Sequence, residues 1–114
     1  MTTLAITVYL NHGPGSFFGF SRADAQLRQA AQFDLTVAEH LSGHHLAHAA
    51  LEVIFEQLNT DVPQHPWAIA YRQAGHRSFS VGDVAVVAET AFACAPIGWT
   101  PISTDDLAGV SGLC

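Results

Sequence analysis

Residues 45–58 read His45-Leu46-Ala47-His48-Ala49-Ala50-Leu51-Glu52-Val53-Ile54-Phe55-Glu56-Gln57-Leu58, and this run decides the fold. At roughly 100° per residue, Leu46, Ala47, Ala50, Leu51, Ile54, Phe55 and Leu58 share one broad arc. His45, His48, Glu52, Glu56 and Asn59 fill the opposite side, and Ser42-Gly43 opens the helix. An arc wider than a coiled-coil seam belongs to a helix laid against a sheet. Extended segments from both ends of the chain must therefore cover it.

Upstream, Leu4, Ile6, Val8 and Leu10 alternate with Ala5, Thr7 and Tyr9, the period of a strand with one apolar face. Asn11 to Gly15 breaks that strand, and Phe17, Phe18 and Phe20 follow as an aromatic segment expected to pack as a flap or short strand. Ser21-Arg22-Ala23-Asp24 reads as a capping box. It predicts an Ala-rich helix from Arg22 to about Ala31, with Ala23, Leu27, Ala30 and Ala31 on one side. Phe33, Leu35 and Val37 then alternate as a second strand. Downstream, Thr60 to Ser78 holds Pro63 and Pro66 and no sustained period, so a long connection is expected, with at most a short strand at Trp67–Tyr71. Val84–Val87 and Thr90–Cys94 flank Ala88-Glu89, the spacing of a tight hairpin without its preferred glycine. Ala95-Pro96-Ile97-Gly98 fits a turn, and Trp99–Ile102 closes a meander. The expected architecture is one α+β domain over residues 1–102. It has a mixed sheet of four or five strands, two helices packed on one face and a C-terminal three-stranded meander. Residues 103–114 are expected to form a frayed tail.

Composition narrows the function. Of 114 residues, 49% are hydrophobic and 12% charged, so the chain has the apolar content to fold and is not intrinsically disordered. Ten acids against four arginines and no lysine leave a charge of −6, the wrong sign for neutralising phosphates, which excludes nucleic acid. The polar-interrupted N-terminus reads as neither signal peptide nor membrane span, so a cytoplasmic location is expected. Cys94 and Cys114 form no metal-ligand spacing and are expected as thiols. Cys94 shares its strand parity with Phe92 and reads as a small buried hydrophobe.

The C-terminal half carries Arg77-Ser78-Phe79-Ser80-Val81-Gly82-Asp83-Val84, then Phe92-Ala93-Cys94, then Gly98-Trp99-Thr100-Pro101-Ile102, preceded by Phe55 to Asn59 and by Asp61 and Pro63. This order resembles the YodL-like domain, a small module of accessory proteins in mobile elements, and is similar to short actinobacterial proteins ending in S-V-G-D-V and G-W strings. The resemblance covers about Ala49 to Ile102. Phe92 stands where the family has tyrosine, Gly82 where mobile-element members often have serine, and the Gln64–His76 stretch is longer. It implies a compact accessory domain and no particular reaction. Read physically, Gly82 permits a bend, Asp83 accepts backbone amides there, Gly98 takes a left-handed turn position, and Trp99 and Ile102 cover one end of the core.

Two clusters carry candidate chemistry. Trp67, Tyr71, Arg72, His76 and Arg77, with the Gly98-Trp99 corner, are the residue types of binding hot spots on an irregular segment. The alternative is that Arg77 pairs with Asp83 and the aromatics cover the sheet. His45, His48 and Glu52 stand at i, i+3 and i+7 of the main helix, with His40 and His44 near its start, the donor types of a metal site without an HExxH order. No nucleophile elbow or phosphate-cradling loop is present, so no catalytic residue and no cofactor is assigned. The favoured reading is a small cytoplasmic accessory or adaptor module that binds a protein partner without catalysis. A histidine-based metal site is the second reading and a small enzyme the third. The choice between monomer and homodimer is left open.

Overall fold

In the computed structural model, which describes residues 2–13, 26–37, 43–95 and 98–102, the first alternating run becomes strand β1 (Thr2–Asn11). Its Ile6, Val8 and Leu10 side chains are buried. Strand β2 (Leu27–Val37) pairs antiparallel with it from Thr2↔Val37 to Asn11↔Leu27. This corrects the helix expected over Arg22–Ala31, since residues 27–31 are extended. Pairing along the whole of β1 outweighs the few tenths of a kcal/mol per residue by which Ala, Arg and Gln prefer a helix. The misleading pattern has a cause. The register passes from Val8↔Ala31 to Tyr9↔Gln29, leaving Ala30 as the extra residue of a β-bulge. One inserted residue moves what precedes it to the other face. Phe33 and Leu35 therefore lie with the helix-side core, while Leu27 joins the opposite cluster.

Helix α1 (Gly43–Asn59) forms as its arc requires, with Ala50, Leu51, Ile54 and Leu58 buried. Burial of each of the three large side chains stabilises the fold by about 1.5–3 kcal/mol. Two of its residues behave unexpectedly. Phe55, placed in the apolar arc, is 41% exposed. Gln57 is buried, because its Oε1 accepts the amides of Gln64 (2.8 Å) and His65 (3.2 Å) and so fixes the turn into the next element.

That element is helix α2 (Pro66–Gln73), which corrects the short strand suggested at Trp67–Tyr71. Pro66 supplies the φ of a first helical turn without wasting an amide, and Gly75 follows the last turn at φ 85°. Ala68 and Tyr71 face inward. Strands β3 (Val84–Val87), β4 (Thr90–Cys94) and β5 (Trp99–Ile102) complete the sheet in the order β2-β1-β3-β4-β5. Among the described residues the α+β class, the five strands and the C-terminal meander are as expected, and there are two helices, the second being α2 and not the expected Arg22–Ala31 helix. All four pairings are antiparallel, where a mixed sheet was anticipated. Both helices join one core with Ile6, Val8, Leu35, Ala85, Val87 and Phe92. The other face has its own buried cluster of Leu27, Val84, Ala91 and Ala93. Burial on both faces explains why Val84–Val87 and Ala91–Cys94 are continuously apolar.

The string around Asp83 is the polar lock of this sheet. Asp83 is fully buried, and its carboxylate accepts the amides of Asn11 (2.7 Å) and Ser80 (2.8 Å) and a two-pronged contact from Arg77 (2.7 and 2.8 Å). Arg77 also donates to the Asn11 carbonyl at 3.0 Å, and the Asn11 amide group donates to the Gly82 carbonyl at 3.1 Å. The end of β1 is thus tied to the entrance of β3. Gly82, at φ 93°, makes the bend that aims Asp83 inward. The capping box at Ser21–Asp24, the Phe17–Phe20 segment, His40, the side chain of His44, Pro96-Ile97 of the expected turn and the tail 103–114 lie outside the described residues.

Candidate functional site

Three parts of the chain meet at a cleft of about 480 Å³. Helix α1 contributes Glu52, Phe55 and Asn59, one strip at i, i+3 and i+7. The segment entering β3 contributes Phe79, Ser80 and Val81. The β4–β5 corner contributes Cys94, Ala95, Gly98 and Trp99, with Cys94 and Trp99 paired across the two strands. Gly98 takes φ 74°, the left-handed position expected of it, and its carbonyl accepts the Ala95 amide at 3.1 Å. The Cys94↔Trp99 pairing sets Trp99 at the start of β5, beside that bond.

Trp99 organises the aromatic walls. Phe55 stands perpendicular to it at a centroid distance of 6.3 Å, and Phe79 lies beneath at 5.7 Å, tilted by 37°. Phe79 is a core residue, whereas Phe55 projects from the rim of the α1 arc. The polar groups are few. Glu52 is exposed beside the cleft, and Asn59 Oδ1 is buried without a hydrogen-bond partner among the described residues. Cys94 is buried, and its thiol is pushed up to about 11, first by burial and then by the negative charge of Asp83. At neutral pH it is a protonated, polarizable wall and not a nucleophile. An open cleft with aromatic walls and sparse polar groups has the make-up of a binding site.

The sequence-derived surface does not assemble as expected. Trp67 stacks flat on Phe33 of β2, with centroids 4.1 Å apart and planes 3° from parallel. Tyr71 is only 4% exposed and donates its hydroxyl to the Arg77 carbonyl at 2.6 Å, while His76 tilts against its ring. Burial, aided by Asp83, pushes Tyr71 up to about 12. Arg72 is exposed, donates to the Thr60 carbonyl and lies 4.0 Å from Asp61. Arg77 is engaged by Asp83, and that hydrogen-bonded pairing raises its already high pKa. Trp99 stands apart from this group. It belongs to β5 and the Trp67–Phe33 stack to β2, the two outer strands, about 19 Å apart at four strand spacings.

The donors of the alternative metal site, His45, His48 and Glu52, all lie on α1. Among the described residues, no three His, Cys, Asp or Glu side chains come together to hold an ion. Glu52 instead borders the cleft. Phe55, Asn59, Phe79 and Cys94 were missed as site residues because each reads as core or as ordinary helix surface. One signal was available, since Phe55 sits about 90° from the centre of the apolar arc and is the bulkiest side chain at its rim. Among the described residues, no helix is long and apolar enough to cross a membrane. No protein family, no curated protein and no solved structure matches the chain.

Proposed function

We propose that this chain is a small non-catalytic accessory module of the cytoplasm that binds a protein partner, with the Phe55–Trp99 cleft as its contact surface. The observation that carries the reading is the exposure of Phe55 at right angles to Trp99 on the lip of an open cleft of about 480 Å³. At 41% exposure Phe55 forgoes part of the about 1.5–3 kcal/mol that full burial supplies, and a partner's side chain in the cleft recovers that part. The protonated state of Cys94 also favours binding over covalent chemistry. An accessory role accords with the YodL-like resemblance of residues 49–102. The surface proposed here replaces the Trp67–Arg77 segment, whose Tyr71 and Arg77 are committed to the fold.

A test is selection of peptides from a random displayed library on the folded protein, followed by binding to Phe55→Ser and Trp99→Ser variants. Selected peptides are expected to lose at least tenfold in affinity on both variants, with amide shifts concentrated at residues 52–59 and 94–99. Equal binding to the variants, with shifts elsewhere, overturns the assignment.

A further inference from the structure

We infer that the cleft recognises a lysine side chain of the partner, held as an ammonium group in the corner between Phe55 and Trp99. This rests on the binding reading above and names the chemistry of its occupant.

The geometry comes first. Rings at 90° with centroids 6.3 Å apart bound a corner whose walls are two aromatic surfaces, with Phe79 as a third ring against Trp99. Aromatic faces carry negative charge density, and a cation within about 6 Å of a ring centroid is attracted to it, most strongly by tryptophan. A right-angled corner suits a compact ammonium. A planar guanidinium stacks best on a flat ring and prefers a two-pronged carboxylate.

Charge complementarity points the same way. Glu52 lies on the same strip of α1, one turn before Phe55, and places a carboxylate on the border of the cleft. Among the described residues no arginine lines it. Asn59, one turn after Phe55 on the same strip, has a buried Oδ1 that lacks a donor among the described residues. These 114 residues carry −6 and contain no lysine, so none of them supplies the occupant. A lysine stem is apolar for four carbons, which suits the aromatic walls, and its charge ends where acceptors are available.

The test is a series of amide-shift titrations at low salt with a capped Gly-Lys-Gly peptide, the same peptide with norleucine in place of lysine, and n-butylammonium. The lysine peptide is expected to bind in the millimolar range and the uncharged norleucine peptide about tenfold more weakly. Glu52→Gln is expected to weaken the lysine peptide about three- to tenfold with no change in norleucine binding. Trp99→Leu, checked for unchanged fold by circular dichroism, is expected to narrow the difference between the two peptides to no more than the part that Glu52 supplies. Norleucine binding as tight as lysine overturns the inference and leaves the binding module intact, because the cleft would then be merely apolar. Butylammonium binding as tight as the lysine peptide overturns the partner lysine in favour of a free amine. Lysine binding at the cleft, with failure of library-selected peptides to depend on Phe55, removes the wider protein-binding role while the ammonium site stands.

Discussion

Arg77→Ala tests the account of the polar lock most directly. Deleting one member of a buried ion pair costs about 3–5 kcal/mol, because the other charge is left behind in a medium that solvates it poorly. Two features of the structure reduce that here. The Arg77 side chain is 41% exposed, so water already screens part of the interaction. The amides of Asn11 and Ser80 remain on the carboxylate after the guanidinium is gone. Against this, the substitution also strips the donor from the Asn11 carbonyl. The expected loss is about 2–3 kcal/mol. With a urea dependence of roughly 1–3 kcal/mol/M for a small domain, the midpoint should fall by about 0.7–3 M. Urea unfolding followed by tryptophan fluorescence measures it. Arg77→Lys should recover part of the loss, since an ammonium restores the charge but not the two-pronged contact. A double-mutant cycle with Asp83→Asn should return a coupling of at least about 1 kcal/mol. If Arg77→Ala costs less than about 0.5 kcal/mol at unchanged urea dependence, or if the two losses simply add, the lock is not what holds β1 to β3.

Three further expectations concern separate parts of the fold. Ala88 stands at φ 56° in the β3–β4 turn, a conformation that costs a residue with a Cβ about 1 kcal/mol, so Ala88→Gly should stabilise the protein by about 0.5–1 kcal/mol; a loss of stability in urea unfolding would contradict this. Gln57→Leu keeps the volume but removes the acceptor for the Gln64 and His65 amides, and should lower stability by about 1–3 kcal/mol, with faster hydrogen exchange at those amides; unchanged exchange would count against the capping role. Alkaline pH should destabilise the fold. Burial lifts Cys94 from 9.0 to about 11 and Tyr71 from 10.0 to about 12 in the folded state, so the unfolded chain releases these protons first. Their contribution is complete below the unfolded values and is lost between about pH 9 and 12, at roughly 2 kcal/mol for each group. A Cys94→Ala, Tyr71→Phe protein should lack most of that slope, and a slope equal to wild type would refute the assignment.

Whatever depends on neighbouring residues could be read from the chain itself. The apolar arc of residues 45–58 specifies α1 and its buried side, the alternation of Leu4 to Leu10 specifies β1, and the Ala88-Glu89 interval specifies the hairpin. Each follows from a backbone period that repeats within a few residues. The pairing of Arg77 with Asp83 was available as one of two readings of that string, and Cys94 was readable as buried from its parity with Phe92. The bulge at Ala30 hid half of β2, because one inserted residue destroys the alternation by which a strand is recognised.

Tertiary structure decided the rest. Periodicity states which side of an element turns inward but not what stands opposite it. Residues 22–31 carried helical preference, yet from Leu27 on they are strand because β1 presents an unpaired edge along its full length. Phe55 and Leu58 both belong to the apolar arc, but Leu58 is buried in the core while Phe55, at the rim, is exposed and faces Trp99. Neither Phe55 nor Trp99 forms a cleft alone, and 44 positions separate them along the chain. Only closure of the meander beneath α1 brings them together, and such a contact depends on the whole chain's packing, which no local pattern encodes.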